Sequence, residues 1–120
     1  MRTALLATAA LATMVVPALA GPALPGDRMK IGATMYGCAW DQYDKLGHFV
    51  SADDRIAFGR YLSGQVAAGA CTAFAAGDVV TIEKVSLWYG ASEVRRVGDT
   101  TSWWVTSSIL DAQTKIGGPR

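Results

Sequence analysis

The sequence is poor in the residue types on which most enzymes and metal proteins depend. It holds one histidine, His48, and two cysteines, Cys38 and Cys71, far apart along the chain. A zinc site needs nitrogen and sulfur ligands at short spacings, and a calcium loop needs a dense run of Asp and Asn. Neither pattern occurs, so no metal or other cofactor is expected. Nucleophilic catalysis needs Cys or Ser beside a base that an acid orients, and the sole imidazole follows Gly47 in a context that suits a solvent-facing side chain. Two carboxylate pairs, Asp41 with Asp44 and Asp53 with Asp54, offer the groups a glycosidase would use. Acids in a first helical turn serve the helix dipole, however, and a short helix would expose Asp41 and Asp44. So small a chain leaves little room for a sugar cleft. No catalytic residue is therefore expected, and a small secreted hydrolase working through His48 or these acids is the remote alternative.

Long apolar runs and an excess of one charge are lacking as well. The run Ala4 to Val16 falls short of the roughly 20 residues that cross the hydrocarbon core, so no stable membrane anchor is expected. Arg2 precedes it, and Pro17 and Ala18-Leu19-Ala20 follow. This is the order of a cleavable secretory signal: a cation held back, an apolar helix, a helix breaker and small residues for the peptidase. Residues 1–20 are read as a signal peptide cut after Ala20, with a periplasmic or secreted product. Without Arg2, ten basic residues face ten acidic ones, which gives nucleic acid or anionic lipid no electrostatic footing. About 100 residues remain, enough for one domain with a modest core.

In an oxidising compartment two thiols tend to pair, and a Cys38–Cys71 disulfide is expected in preference to a reactive thiol. Closing a loop of that length would stabilise the fold by about 3–4 kcal/mol.

Residues 21–28 are rich in Gly and Pro and read as a flexible mature amino terminus; residues 29–110 read as a single domain. From Met29 to Gly37, Ile31, Ala33 and Met35 alternate as in a strand. Ala39 to Leu46 predicts a short helix with Trp40, Tyr43 and Leu46 on one side, stopped by Gly47. A second helix is predicted from a Ser51 cap, with Asp53 and Asp54 in its first turn and an apolar stripe of Phe58, Tyr61, Leu62 and Val66, closed by Gly69. Strand patterns then follow. Cys71 to Phe74, a turn at Ala76-Gly77-Asp78, Val79 to Lys84, an aromatic loop Leu87-Trp88-Tyr89-Gly90, Glu93 to Val97, a Gly98 turn and Ser102 to Val105 imply four short strands. Ser107 to Leu110 reads as one helical turn ending on two apolar plugs, and residues 111–120 as a flexible tail.

The stretch from Phe74 to Leu110 resembles a bacterial Src-homology-three (SH3-like) domain through Phe74, Gly77, Val80, Ile82, Val94-Arg95, Gly98, Trp104-Val105 and Leu110. The usual opening segment of that family is absent, and a cysteine-bearing helical region stands in its place. The whole layout is similar to that of small exported proteobacterial proteins. The resemblance implies an α+β chain: a small, mostly antiparallel SH3-like β-barrel over residues 70–110, behind a helical, disulfide-linked N-terminal cap over residues 38–69.

Four tryptophans, Trp40, Trp88, Trp103 and Trp104, are many for this length. Strand alternation puts Trp103 and Trp104 on opposite faces, and Trp103 shares its face with the core position Val105. Trp104, turned outward, either joins Trp88 and Tyr89 in a platform for a peptide or sugar or packs beneath the helix that starts at Ser51. The leading expectation is an exported, non-catalytic binding module for a peptide, protein or peptidoglycan ligand, with Trp104, Trp88 and Tyr89 as ligand-binding residues. A periplasmic interaction or enzyme-inhibitor protein is the alternative.

Overall fold

The computed structural model describes residues 22–116; the expected signal peptide and its cut after Ala20 lie outside them. The strands are β1 (Arg28–Lys30), β2 (Met35–Cys38), β3 (Cys71–Phe74), β4 (Val79–Ser86), β5 (Ala91–Arg96), β6 (Ser102–Thr106) and β7 (Thr114–Ile116). Two helices, α1 (Trp40–Ser51) and α2 (Arg55–Ala67), lie between β2 and β3, and one helical turn, α3 (Ser107–Asp111), follows β6. The chain is α+β, with an open, antiparallel sheet of seven strands in the order β3-β2-β6-β5-β4-β1-β7. This departs from the four strands expected over 70–110, because β1, β2 and β7 come from outside that range. The helical region does not precede the sheet; it interrupts it.

Alternation decides what each face of the sheet buries. One face gathers Met29, Ile31, Met35, Phe74, Val80, Ile82, Val94 and Val105, with Leu110 of α3 and Ala23, into the main core. Of the two expected plugs on α3, Leu110 is fully buried and Ile109 is half exposed. The sheet curls around this core. In a flat sheet β5 and β3 would stand about 14 Å apart, yet Arg96 of β5 donates from Nη2 to Thr72 Oγ1 (3.0 Å) and to the Ala73 carbonyl (2.9 Å) on β3. Its guanidinium lies 4.4 Å from the centre of the Phe74 ring, so one side chain closes the end of the core and satisfies an edge carbonyl.

On the opposite face Cys38 and Cys71 stand directly across the β2–β3 ladder, their Cα atoms 3.9 Å apart and their sulfurs bonded. Around them lies a second core of Leu46, Tyr43, Phe49, Phe58, Tyr61, Leu62 and Val66, which is where the stripe of α2 packs. Ile56, off that stripe, is exposed.

The helix ends differ from the expectation in an instructive way. Gly47 does not stop α1, which runs on to Ser51. There Asp53 N–H donates to the Val50 carbonyl and Asp54 N–H to the Phe49 carbonyl, with Asp53 at φ 54°. That is a Schellman closure with Asp in the position glycine usually takes. Asp54 then caps α2 by accepting from Ala57 N–H at 3.0 Å. The adjacent acids are thus the end of one helix and the cap of the next, and Ser51 caps neither. Gly69 closes α2 in the same manner, donating to Val66 while Ala70 donates to Gln65.

Both segments expected to be flexible are tied into the fold where described. Ala23 and Asp27 are buried, Ala23 N–H donates to Asp111 Oδ1 (3.0 Å), and Asp27 pairs with Lys115 (3.2 Å). Gln113 accepts from Gly32 N–H at 2.8 Å, and β7 pairs with β1 from Arg28↔Ile116 to Lys30↔Thr114. The predicted strand Met29–Gly37 is two strands, broken over residues 31–34.

Gly37 has no room for a side chain against the main core. A Cβ there would lie 2.8 Å from Phe74 Cε2, 2.9 Å from Trp103 Cβ and 3.1 Å from Val105 Cγ1. Gly37→Ala is expected to cost about 1–3 kcal/mol in urea denaturation, through overpacking. Replacing Cys38 and Cys71 together with alanine is expected to lower stability by about 3–4 kcal/mol in the same assay, because the bond closes a separation of 33 residues.

Candidate binding groove

The helical pair and the sheet meet over an aromatic cluster centred on Trp40, at the first turn of α1. Its ring meets Trp104 edge-on at 5.0 Å between centroids and Tyr89 edge-on at 5.1 Å, and it stacks on Tyr43 at 5.7 Å. The register explains the encounter. Cys38 pairs with Trp104 across β2 and β6, so Trp104 shares the disulfide face, and Trp40 follows Cys38 by two residues. Tyr43 Oη lies 3.4 Å from Thr106 Oγ1, tying α1 to the end of β6.

Beside this cluster runs an apolar groove of about 930 Å³. The Trp40, Tyr43 and Tyr89 rings line it together with Tyr36, Ile109 and the apolar side chains of Leu46, Val50, Phe58 and Leu62. Tyr36, Val50, Tyr89 and Ile109 are all exposed, although each is large and mostly apolar. Gly47 also lines the groove, and a Cβ placed on it would meet nothing within 4 Å. The missing side chain leaves the groove open at mid-helix, where glycine costs about 1 kcal/mol relative to alanine.

The expected ligand-binding residues divide. Trp104 is half-buried, and the ring against it is Trp40 of α1. Tyr89 joins the same cluster and lines the groove. Trp88 stands apart: with Leu87 it forms the tip of the β4–β5 hairpin, 88 % and 92 % exposed, outside the groove lining. Trp103 packs against the main core, with its indole Nε1 buried and unpartnered. Trp40, Tyr43 and Gly47 are groove residues that sequence reasoning did not assign. The three-residue spacing of Trp40 and Tyr43 was the available signal, and it was absorbed by reading them as the packed side of a short helix.

Of the groups considered for catalysis, Asp41, Asp44 and His48 line one small surface cavity with Lys45, and the others are engaged elsewhere. Both sulfurs are in the disulfide, so neither is a thiolate nucleophile. His48 is exposed, with Nε2 3.5 Å from Asp44 Oδ2 one turn earlier. Asp53 and Asp54 serve the helix ends. Among the described residues no group of three or more His, Cys, Asp and Glu could hold a metal ion, and no helix is long and apolar enough to cross a membrane. On the outer face of the sheet, the Ser102 hydroxyl and then the Arg95 guanidinium hold the Glu83 carboxyl below its usual range.

No protein-family model matches this chain, and neither does any curated protein or solved structure.

Proposed function

We propose that this is an exported, non-catalytic binding module whose groove between α1 and the sheet takes an extended peptide segment. The observation that carries the reading is the open apolar groove itself, rimmed by exposed aromatics and left empty at mid-helix by Gly47. Ligand sites are typically concave, mostly apolar and edged by a few polar groups, and aromatic rings are the usual anchors of peptide recognition. Among the roles considered, Tyr89 contacts ligand directly and Trp104 backs Trp40. The paired cysteines favour an oxidising compartment, periplasmic or extracellular. The strand-built body is read as an SH3-like barrel left open at one seam, a reading supported by the curl that lets Arg96 reach β3 and by the β4–β5–β6 meander ending in the buried Leu110.

A second reading, an inhibitory or interaction protein, is favoured by one observation: Leu87 and Trp88 project together from a tight hairpin tip. A convex apolar tip suits insertion into a partner's cleft.

One pair of variants separates the two. Linear random peptides displayed on phage are selected on the disulfide-intact protein, and the selected sequences are then titrated against Gly47→Leu and Trp88→Ala. The groove reading predicts that Gly47→Leu weakens binding by about ten-fold or more, while its melting temperature stays level or rises because a helix former replaces glycine. Trp88→Ala should leave affinity within about two-fold. The reverse ranking would assign binding to the hairpin tip.

A further inference from the structure

We infer that the groove selects a peptide segment carrying a lysine-type ammonium among apolar residues, with the ammonium seated at the Trp40–Tyr89–Asp44 end. The inference rests on the peptide-binding reading and names the ligand chemistry of that same groove.

Three observations converge on it. Trp40 and Asp44 are one turn apart on α1 and both line the groove, so an indole and a carboxylate share one face of the helix. The Trp40 and Tyr89 rings stand 71° apart with centroids 5.1 Å from each other, forming a steep aromatic corner that remains open on the Tyr89 side. Indole and phenol faces are the best side-chain partners for an organic cation, and their attraction grows as the cation is desolvated. An aromatic corner with a carboxylate beside it is complementary to an ammonium on both counts.

The charges around the groove point the same way. Among the described residues no lysine or arginine lines it; the ionisable lining groups are Asp44, His48 and tyrosines. The chain's own nearby cation, Lys45, is outside the groove lining: its Nζ lies 6.0 Å from the Phe49 ring centre and 5.8 Å from that of Tyr61, and it shares a smaller surface cavity with Asp41, Asp44 and His48. One helix thus already holds an ammonium over aromatic rings on the face that it buries. His48, the present neighbour of Asp44, is three-quarters exposed, so the contact a ligand must displace is a surface one that solvent screens. An acidic or phosphorylated segment would meet the Asp44 carboxylate, with the exposed His48 as the one basic side chain in the lining among the described residues. Leu46, Val50, Phe58 and Leu62 supply an apolar wall for the flanking residues.

The test uses the full, oxidised protein and three end-blocked, leucine-rich peptides that differ at one central position: lysine, its uncharged isostere norleucine, or glutamate. Binding is followed by tryptophan fluorescence and calorimetry. The lysine peptide is expected to bind about ten-fold tighter than the norleucine peptide, and the glutamate peptide more weakly than either. Asp44→Asn, an exposed helical position whose exchange should leave the melting temperature unchanged, is expected to bring lysine and norleucine within about two-fold. If lysine and norleucine bind the wild type equally, the groove is a neutral apolar site: the inference falls while the peptide-binding reading stands. If none of the three binds, both fall.

Discussion

Cys38 and Cys71 face one another across the β2–β3 ladder, and the chain that leaves one and returns to the other is the whole helical pair. The bond therefore does more than cross-link two neighbouring strands. It ties the ends of a long excursion to the sheet at the point where Trp104 of β6 pairs with Cys38, the register pair that joins β2 to β6. β3 lies at the sheet edge, held on by β2, the disulfide and the reach of Arg96. Were that junction to loosen, α1 would lose its seat against β6, and the groove between them would lose one wall.

The need for such a clamp follows from how the apolar surface is divided. The main core is well buried, with Phe74, Val80, Val105 and Leu110 wholly out of solvent. The second core has only Leu46 and the two sulfurs fully buried, and α2 contributes no buried residue at all. Helices whose stripes stay partly wet gain only part of the burial term, and Gly59 and Gly64 in α2, with Gly47 in α1, weaken them further. Covalent closure raises the stability of the whole by constraining the unfolded chain, which lets a thinly packed helical pair persist beside a groove that removes packing from it. The aromatic cluster then serves both purposes, since Trp40 seals the helix onto Trp104 with one edge of the assembly and lines the groove with another.

Much of the secondary structure was legible because its signals were local. The strand Cys71–Phe74, the Gly77 and Gly98 turns, the Trp88 loop and the apolar stripe of α2 all stand close to where alternation and glycine placed them. The pairing of the cysteines followed from their number and from the expectation of an oxidising compartment. What failed was non-local. Thr114–Ile116 carries little strand pattern of its own and exists through pairing with β1, and Asp27 and Asp111 are ordered by partners nearly the whole chain away. Gly47 and Ser51 misled because helix continuation was decided by packing of Leu46 and Phe49, and because Asp53 could take the left-handed position usually left to glycine. Tyr89 was read as a surface aromatic and Trp104 as either exposed or packed beneath a helix, but that they converge on Trp40 depends on the Cys38↔Trp104 register, which no spacing announces.

The disulfide clamps α1 and α2 against the sheet independently of the strand core. Amide hydrogen exchange on the native protein, before and after mild reduction, measures this directly. Protection should fall throughout on reduction, since the whole fold loses stability, but further along α1 and α2 than for the amides of β4, β5 and β6. Equal loss throughout, or helical protection that reduction leaves unchanged, would contradict it.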